Sequence, residues 1–168
     1  MENNNQSKIT TGKKITPFLW FDDKAEEAVN FYTSVFKNSK VNKMTRYTGE
    51  GAKAAGRPEG SVMTAAFTLD GQDFVALNGG PMFKFTEAIS FVVNCDTQEE
   101  VDDFWDKLSE GGQESQCGWL KDKFGLSWQI VPVILMKLLS DTDGGKAKRA
   151  MQAMLKMKKI IIADLENA

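Results

Sequence analysis

The 168 residues, 42% of them hydrophobic, suffice for one ordinary domain or two small halves sharing a core, which excludes a disordered or fibrous chain. Lys and Arg total 21 against 23 Asp and Glu, a net charge of −2, so no global electrostatic drive toward nucleic acid or an anionic membrane exists. There is no histidine, which removes every His-dependent triad and every imidazole-based metal site.

Residues 1–13 are polar and Asn-rich and read as a disordered segment without a signal peptide. Two cysteines, Cys95 and Cys117, fit reduced thiols in a cytoplasmic protein. The longest apolar run, Ile130 to Met136, is far short of the roughly 20 residues a bilayer span needs, so no membrane partner is expected.

From residue 15 the chain repeats itself. Residues 15–36 match 88–109 at an offset of 73, with Phe18, Asp23, Glu26, Glu27 and Phe31 falling on Phe91, Asp96, Glu99, Glu100 and Phe104. Each copy predicts a strand (Phe18–Phe21, Ile89–Val93) running into a helix that an aspartate caps at Asp23 or Asp96. Ala28, Phe31, Tyr32, Val35 and Phe36 stripe the first helix; Val101, Phe104, Trp105 and Leu108 stripe the second. The first half continues with strands at 41–48, 61–69 and 74–77, joined by a Gly/Ala-rich connecting loop at 49–60 and an Asp70-Gly71 turn. The second half continues with one strand over 113–120, a turn at 121–125 holding Lys121 and Asp122, and a strand at 126–131. Beyond Pro132 the pattern predicts a short apolar turn and an appended helix over 146–159. Residues 137–159 hold seven basic and two acidic side chains, read as a solvated face.

The organisation is therefore an α+β fold of two tandem βαβββ modules, module one at 15–78 and module two at 86–132, with a C-terminal helical region at 133–168 in a single domain from residue 14. Two such modules resemble the vicinal oxygen chelate superfamily of glyoxalase I, extradiol dioxygenases and bleomycin-resistance proteins. Ala76-Leu77-Asn78-Gly79-Gly80-Pro81, Cys117-Gly118-Trp119-Leu120 and Ser127-Trp128-Gln129-Ile130-Val131-Pro132 are similar to the PhnB-like family, often called the 3-demethylubiquinone-9 3-methyltransferase domain. The resemblance implies a homodimer whose chains complete each other's clefts.

It also implies metal-ligand positions, which fall on Thr16 or Pro17 and Ile89 or Ser90 in the first strands of the modules. In the last strands they fall on Val75 and Gln129. None is a charged or imidazole ligand, so a metal-free cleft is expected, with no cofactor unless the methyltransferase name is correct and S-adenosylmethionine binds. No G-x-G-x-x-G-like turn and no alternating βα order of a doubly wound methyltransferase is present. Candidate cleft residues are Trp20, Ser90, Cys117, Trp119, Trp128 and Gln129, and no catalytic residue is assigned. Gln129 is singled out because alternation puts it on the face opposite Trp128. The functional expectation is a small-molecule pocket, catalytic or sequestering. Its rivals are a quinol O-methyltransferase and a drug- or metabolite-sequestering protein of the bleomycin-resistance type.

Overall fold

A computed structural model describes residues 14–168, so the segment expected to be disordered at 1–13 lies outside the described residues. The chain forms two compact units, one ending at Phe83 and one running from Lys84 to Ala168. In the first unit, β1 (Phe18–Phe21), α1 (Ala25–Val35), β2 (Lys40–Arg46), α2 (Gly49–Ala55), β3 (Val62–Leu69) and β4 (Gln72–Asn78) build a sheet of order β1-β4-β3-β2. In the second, β5 (Ser90–Cys95), α3 (Gln98–Ser109), β6 (Gln113–Glu114), β7 (Trp119–Lys121) and β8 (Ser127–Pro132) give the order β5-β8-β7-β6. Both sheets pair their first and last strands in parallel and the rest antiparallel, so the expected duplication of a βαβββ unit holds.

One helix covers one face of each sheet. In the first unit Tyr32 stacks on Phe67, which stacks in turn on Phe74. In the second, Val101, Trp105 and Leu108 of α3 are buried, as are Leu120, Trp128 and Ile130 of the sheet it contacts. Alternation leaves the opposite face of each sheet without a helix of its own repeat.

The repeat does not keep one offset. Leu19 and Phe21 occupy the buried role of Val93 and Cys95, a shift of 74, whereas Ala28, Tyr32 and Val35 occupy that of Val101, Trp105 and Leu108, a shift of 73. The cause is the connection, which is Asp22-Asp23-Lys24 in one copy and Asp96-Thr97 in the other. A slip of one residue reverses the faces of a strand. Phe18 is accordingly 58% exposed, while Phe91 packs against Trp128 at 5.7 Å between ring centroids.

The expected aspartate caps also move. Thr97 caps α3, its Oγ1 accepting from the Glu100 N–H at 3.2 Å while the Glu100 carboxylate accepts from the Asp96 N–H at 2.8 Å. In α1, Lys24 at the N-cap makes no side-chain capping bond, and Asn78 from the end of β4 serves instead, its Oδ1 accepting from the Ala25 N–H at 2.8 Å.

The strand expected over 113–120 is broken. Cys117 (φ 59°) and Gly118 (φ 82°) turn left-handed between β6 and β7, and a Cβ on Gly118 would lie 2.7 Å from the Ile130 carbonyl oxygen. That approach lets the Ile130 N–H donate to the Gly118 carbonyl at 2.7 Å, a bond only glycine permits without displacement. The stretch 49–60, expected as a loop, begins with α2 and is tied down by Arg57, which pairs with the Asp22 carboxylate at 2.6 Å.

The appended region is three helices rather than one: α4 (Val133–Leu139), α5 (Gly144–Met154) and α6 (Ile162–Glu166) around Leu135, Ile160 and Leu165. The link between α5 and α6 is held by the β6–β7 loop and by α3. Cys117 and Gly118 N–H groups donate to the Met157 and Lys158 carbonyls at 2.8 and 2.7 Å. The Gln98 amide donates to the Ile160 carbonyl at 3.1 Å and accepts from the Ile162 N–H at 2.8 Å. Lys159 reaches Asp102 at 2.9 Å and lowers the pKa of its carboxyl.

Cys95 is wholly buried at the end of β5, and burial pushes its thiol up to about 12. At pH 8 its thiolate fraction is on the order of 10⁻⁴, so iodoacetamide should modify Cys95 only after unfolding. Peptide mass spectrometry before and after denaturation checks this, and equal modification rates in the two states would contradict the burial. Among the described residues no helix is long and apolar enough to cross a membrane.

Candidate small-molecule site

On the open face of the second sheet, register places side chains in rows across the strands. One row reads Gln113 (β6), Lys121 (β7), Ser127 (β8) and Ser90 (β5); the next reads Trp119 (β7), Gln129 (β8) and Val92 (β5). The first row is polar in every strand, an unusual composition for the centre of a sheet face unless the groups meet partners. Gln129 Nε2 donates to Ser90 Oγ at 2.8 Å and so links the two rows. Val92, by contrast, is apolar and 50% exposed.

A pocket of about 90 Å³ opens beside the polar row, lined by Glu87, Gln113, Ser115, Trp119, Lys121 and Ser127 among others. At its rim the Lys121 ammonium pairs with the Glu87 carboxylate, and that hydrogen bond lowers the Glu87 pKa. Ser127 is only 1% exposed, yet its hydroxyl has no hydrogen-bond partner. Leaving such a group unsatisfied costs roughly 1–3 kcal/mol.

Of the residues expected to line a cleft, Ser90, Trp119 and Gln129 come together on this face. Trp128 lies on the opposite, helix-covered face, buried, its indole N–H donating to the Asp122 carboxylate at 2.8 Å. Cys117 sits in the left-handed loop, off the strand rows, its N–H held by Met157. Trp20 belongs to the first unit, where its indole N–H donates to the Gly80 carbonyl at 2.8 Å and its ring meets Phe83 edge-on. Ser127, Glu87, Gln113 and Ser115 were not anticipated. Ser127 was within reach of the alternation argument, since it lies two residues before Gln129 on the same strand face.

The metal expected of the wider superfamily does not fit these donors. Ser90 offers a neutral hydroxyl, Gln129 turns an N–H toward it, and the corresponding first-unit residues, Thr16 and Val75, add no charge. A divalent cation needs anionic or imidazole ligands to offset its dehydration. Among the described residues no group of three or more Cys, Asp or Glu side chains is placed to hold an ion.

A family model described as 3-demethylubiquinone-9 3-methyltransferase matches residues 13–131. The chain belongs to this PhnB-like family. A PhnB protein from Bacillus cereus, bearing the provisional name 3-demethylubiquinone-9 3-methyltransferase, is 41% identical. The match covers 72% of this chain and all of that one, with a TM-score of 0.65. Protein PA1353 from Pseudomonas aeruginosa is 19% identical over 71% of this chain and 97% of its own, with a TM-score of 0.57. The fosfomycin resistance protein FosX from Listeria monocytogenes is 13% identical over 79% of this chain and all of its own, with a TM-score of 0.54. These last two likenesses concern the fold alone. No curated protein matches the chain. The family match ends at Val131, so α4, α5 and α6 lie beyond it.

Proposed function

We propose that this PhnB-like protein holds a small organic molecule on the open face of its second unit, and does so without a metal or S-adenosylmethionine. The observation that carries the reading is the Gln129–Ser90 hydrogen bond at 2.8 Å, which puts a satisfied neutral pair where the resemblance implies metal ligands. Beside it, Trp119 offers an aromatic wall and the polar row offers orienting groups, the usual anatomy of a small-molecule site. Whether the bound molecule is turned over or sequestered is decided by product formation against stoichiometric protection.

The test is retention of metabolites from a cell extract on untagged protein, read by mass spectrometry. The expected result is one enriched small molecule, unaffected by chelator and released about tenfold more readily from Gln129→Ala and Trp119→Ala. Loss of retention on chelation, restored by a divalent metal, would overturn the metal-free reading.

The family's name and that of the Bacillus cereus relative favour a second reading, a methyltransferase. Two mixed four-stranded sheets supply neither the doubly wound parallel order nor the Gly-rich turn that S-adenosylmethionine enzymes of the common type use. Calorimetry should therefore show no low-micromolar binding of that donor; such binding, competed by S-adenosylhomocysteine, promotes the second reading. The resemblance also supports a homodimer, which sedimentation at micromolar concentration checks.

A further inference from the structure

Ser127 is a hydroxyl without a partner at the middle of a polar row, and its two cross-strand neighbours explain why. Ser90, opposite on β5, already accepts from Gln129. Lys121, opposite on β7, turns its ammonium to Glu87 at the pocket rim and does not meet Ser127, whose O–H therefore still has a proton to donate. The missing partner of Ser127 is thus an oxygen that enters from the pocket. An uncharged ligand would leave Lys121 as it stands, whereas an anionic one would meet both groups.

The chemistry of the ligand follows from what Lys121 already holds. Glu87 is a carboxylate on a flexible rim side chain, 66% exposed, so it is readily exchanged for a carboxylate brought by a ligand. The pocket's volume of about 90 Å³ is smaller than the roughly 150 Å³ cavity that takes up a benzene molecule, which suits a ligand group of a few heavy atoms. We infer that the pocket is a subsite for a small monocarboxylate with an oxygen on the neighbouring carbon. Its carboxylate replaces Glu87 on Lys121, and its second oxygen meets the Ser127 hydroxyl. Gln113 and Ser115 line the same pocket and supply further polar contacts. The inference rests on the reading that this face binds a small molecule, and it names that molecule's class.

Lactate and pyruvate are the probes, propionate lacks the second oxygen and lactamide lacks the charge. Binding is read by ligand-observed NMR and by tryptophan fluorescence. Lactate or pyruvate should bind, with propionate and lactamide each weaker by about tenfold or more, the factor expected of one charge-assisted hydrogen bond. Ser127→Ala should weaken lactate about tenfold, and Lys121→Met should abolish it. Glu87→Gln should tighten it severalfold, because the competing carboxylate is gone; a purely structural role for the ion pair would not produce that gain. Ser127→Ala should melt at or slightly above the parent temperature, since it deletes an unsatisfied hydroxyl, so loss of binding is not loss of fold.

Binding that ignores Ser127→Ala and Glu87→Gln, or no binding of either probe, overturns the inference. So does a crystal soaked with lactate that shows only an ordered water on Ser127. Retention of a different metabolite, sensitive to Gln129→Ala and Trp119→Ala, would in those cases leave the broader reading standing.

Discussion

Asp122→Ala is expected to destabilise the protein by about 3–5 kcal/mol, a large part of the roughly 5–15 kcal/mol that holds a typical domain together. Asp122 is 3% exposed, and its carboxylate serves the whole turn between β7 and β8. Oδ1 accepts from the Phe124 and Leu126 N–H groups at 2.8 and 3.1 Å, and Oδ2 accepts from the Trp128 indole at 2.8 Å. Truncation strands three donors, two of them on residues that are themselves buried. Asp122→Asn retains an acceptor for the backbone pair but turns an amide N–H toward the indole, so it should cost less, about 2 kcal/mol. In a cycle with Trp128→Phe the Asp122–Trp128 coupling should reach about 1 kcal/mol or more. Urea unfolding measures the parent and every variant, and a loss below 1 kcal/mol for Asp122→Ala would show that the turn does not depend on the carboxylate. The same turn fixes Lys121 opposite Ser127, so the variant should also weaken whatever binds the polar row.

The duplication was legible because helix stripes are read at 3.6-residue spacing and tolerate a change in the connection before them. Strand faces do not tolerate it. One extra residue between Phe21 and Ala25 reversed the pairing of Phe18 with Phe91, although both are aromatic and both follow the right pattern. Gln129 and Ser90 were named by position and Trp119 by residue type, and the structure sets all three on one face. Trp128 shows where residue type misleads: its ring faces the helix, and its N–H is spent on a turn carboxylate six residues earlier in sequence. Asp122 itself reads as an ordinary turn residue, because nothing local distinguishes an aspartate that faces water from one that faces a buried indole. Alternation sets Ser127 on the face of Gln129, but its lack of a partner carried no signal in the sequence, since an unsatisfied hydroxyl is a property of its neighbours across two strands. The Cys117-Gly118 break was hidden for a related reason, as the tight approach of Gly118 to Ile130 is a tertiary contact.

Asn78→Ala should cost about 2–4 kcal/mol, although Asn78 follows a strand in sequence and reads as the start of a loop. Asn78 makes three long-range bonds within the first unit, two through its side chain and one through its main-chain carbonyl. Oδ1 accepts from the Ala25 N–H at the head of α1 at 2.8 Å, Nδ2 donates to the Val62 carbonyl at 3.0 Å, and its carbonyl accepts from the Tyr47 hydroxyl at 2.8 Å. The first two bonds vanish on truncation, at a position 7% exposed. The second unit offers the internal comparison. There Pro132 holds the place opposite Cys95 that Asn78 holds opposite Phe21, and it has no side-chain acceptor. Thr97 caps α3 locally instead, so Thr97→Ala should cost only about 1 kcal/mol. Asn78→Asp separates the two roles of the amide. A carboxylate still suits a helix N-terminus, but it places negative charge against the Val62 carbonyl, which favours the protonated acid in the folded state. A carboxyl whose folded-state pKa is raised contributes stability below its unfolded value, near 4, and loses it as pH rises through the folded value. Relative to the parent, Asn78→Asp should therefore be least harmful near pH 4 and most harmful at pH 7, as read by thermal melts across that range. An Asn78→Asp variant as stable as the parent at every pH would show that the Val62 contact contributes nothing and that only the helix cap matters.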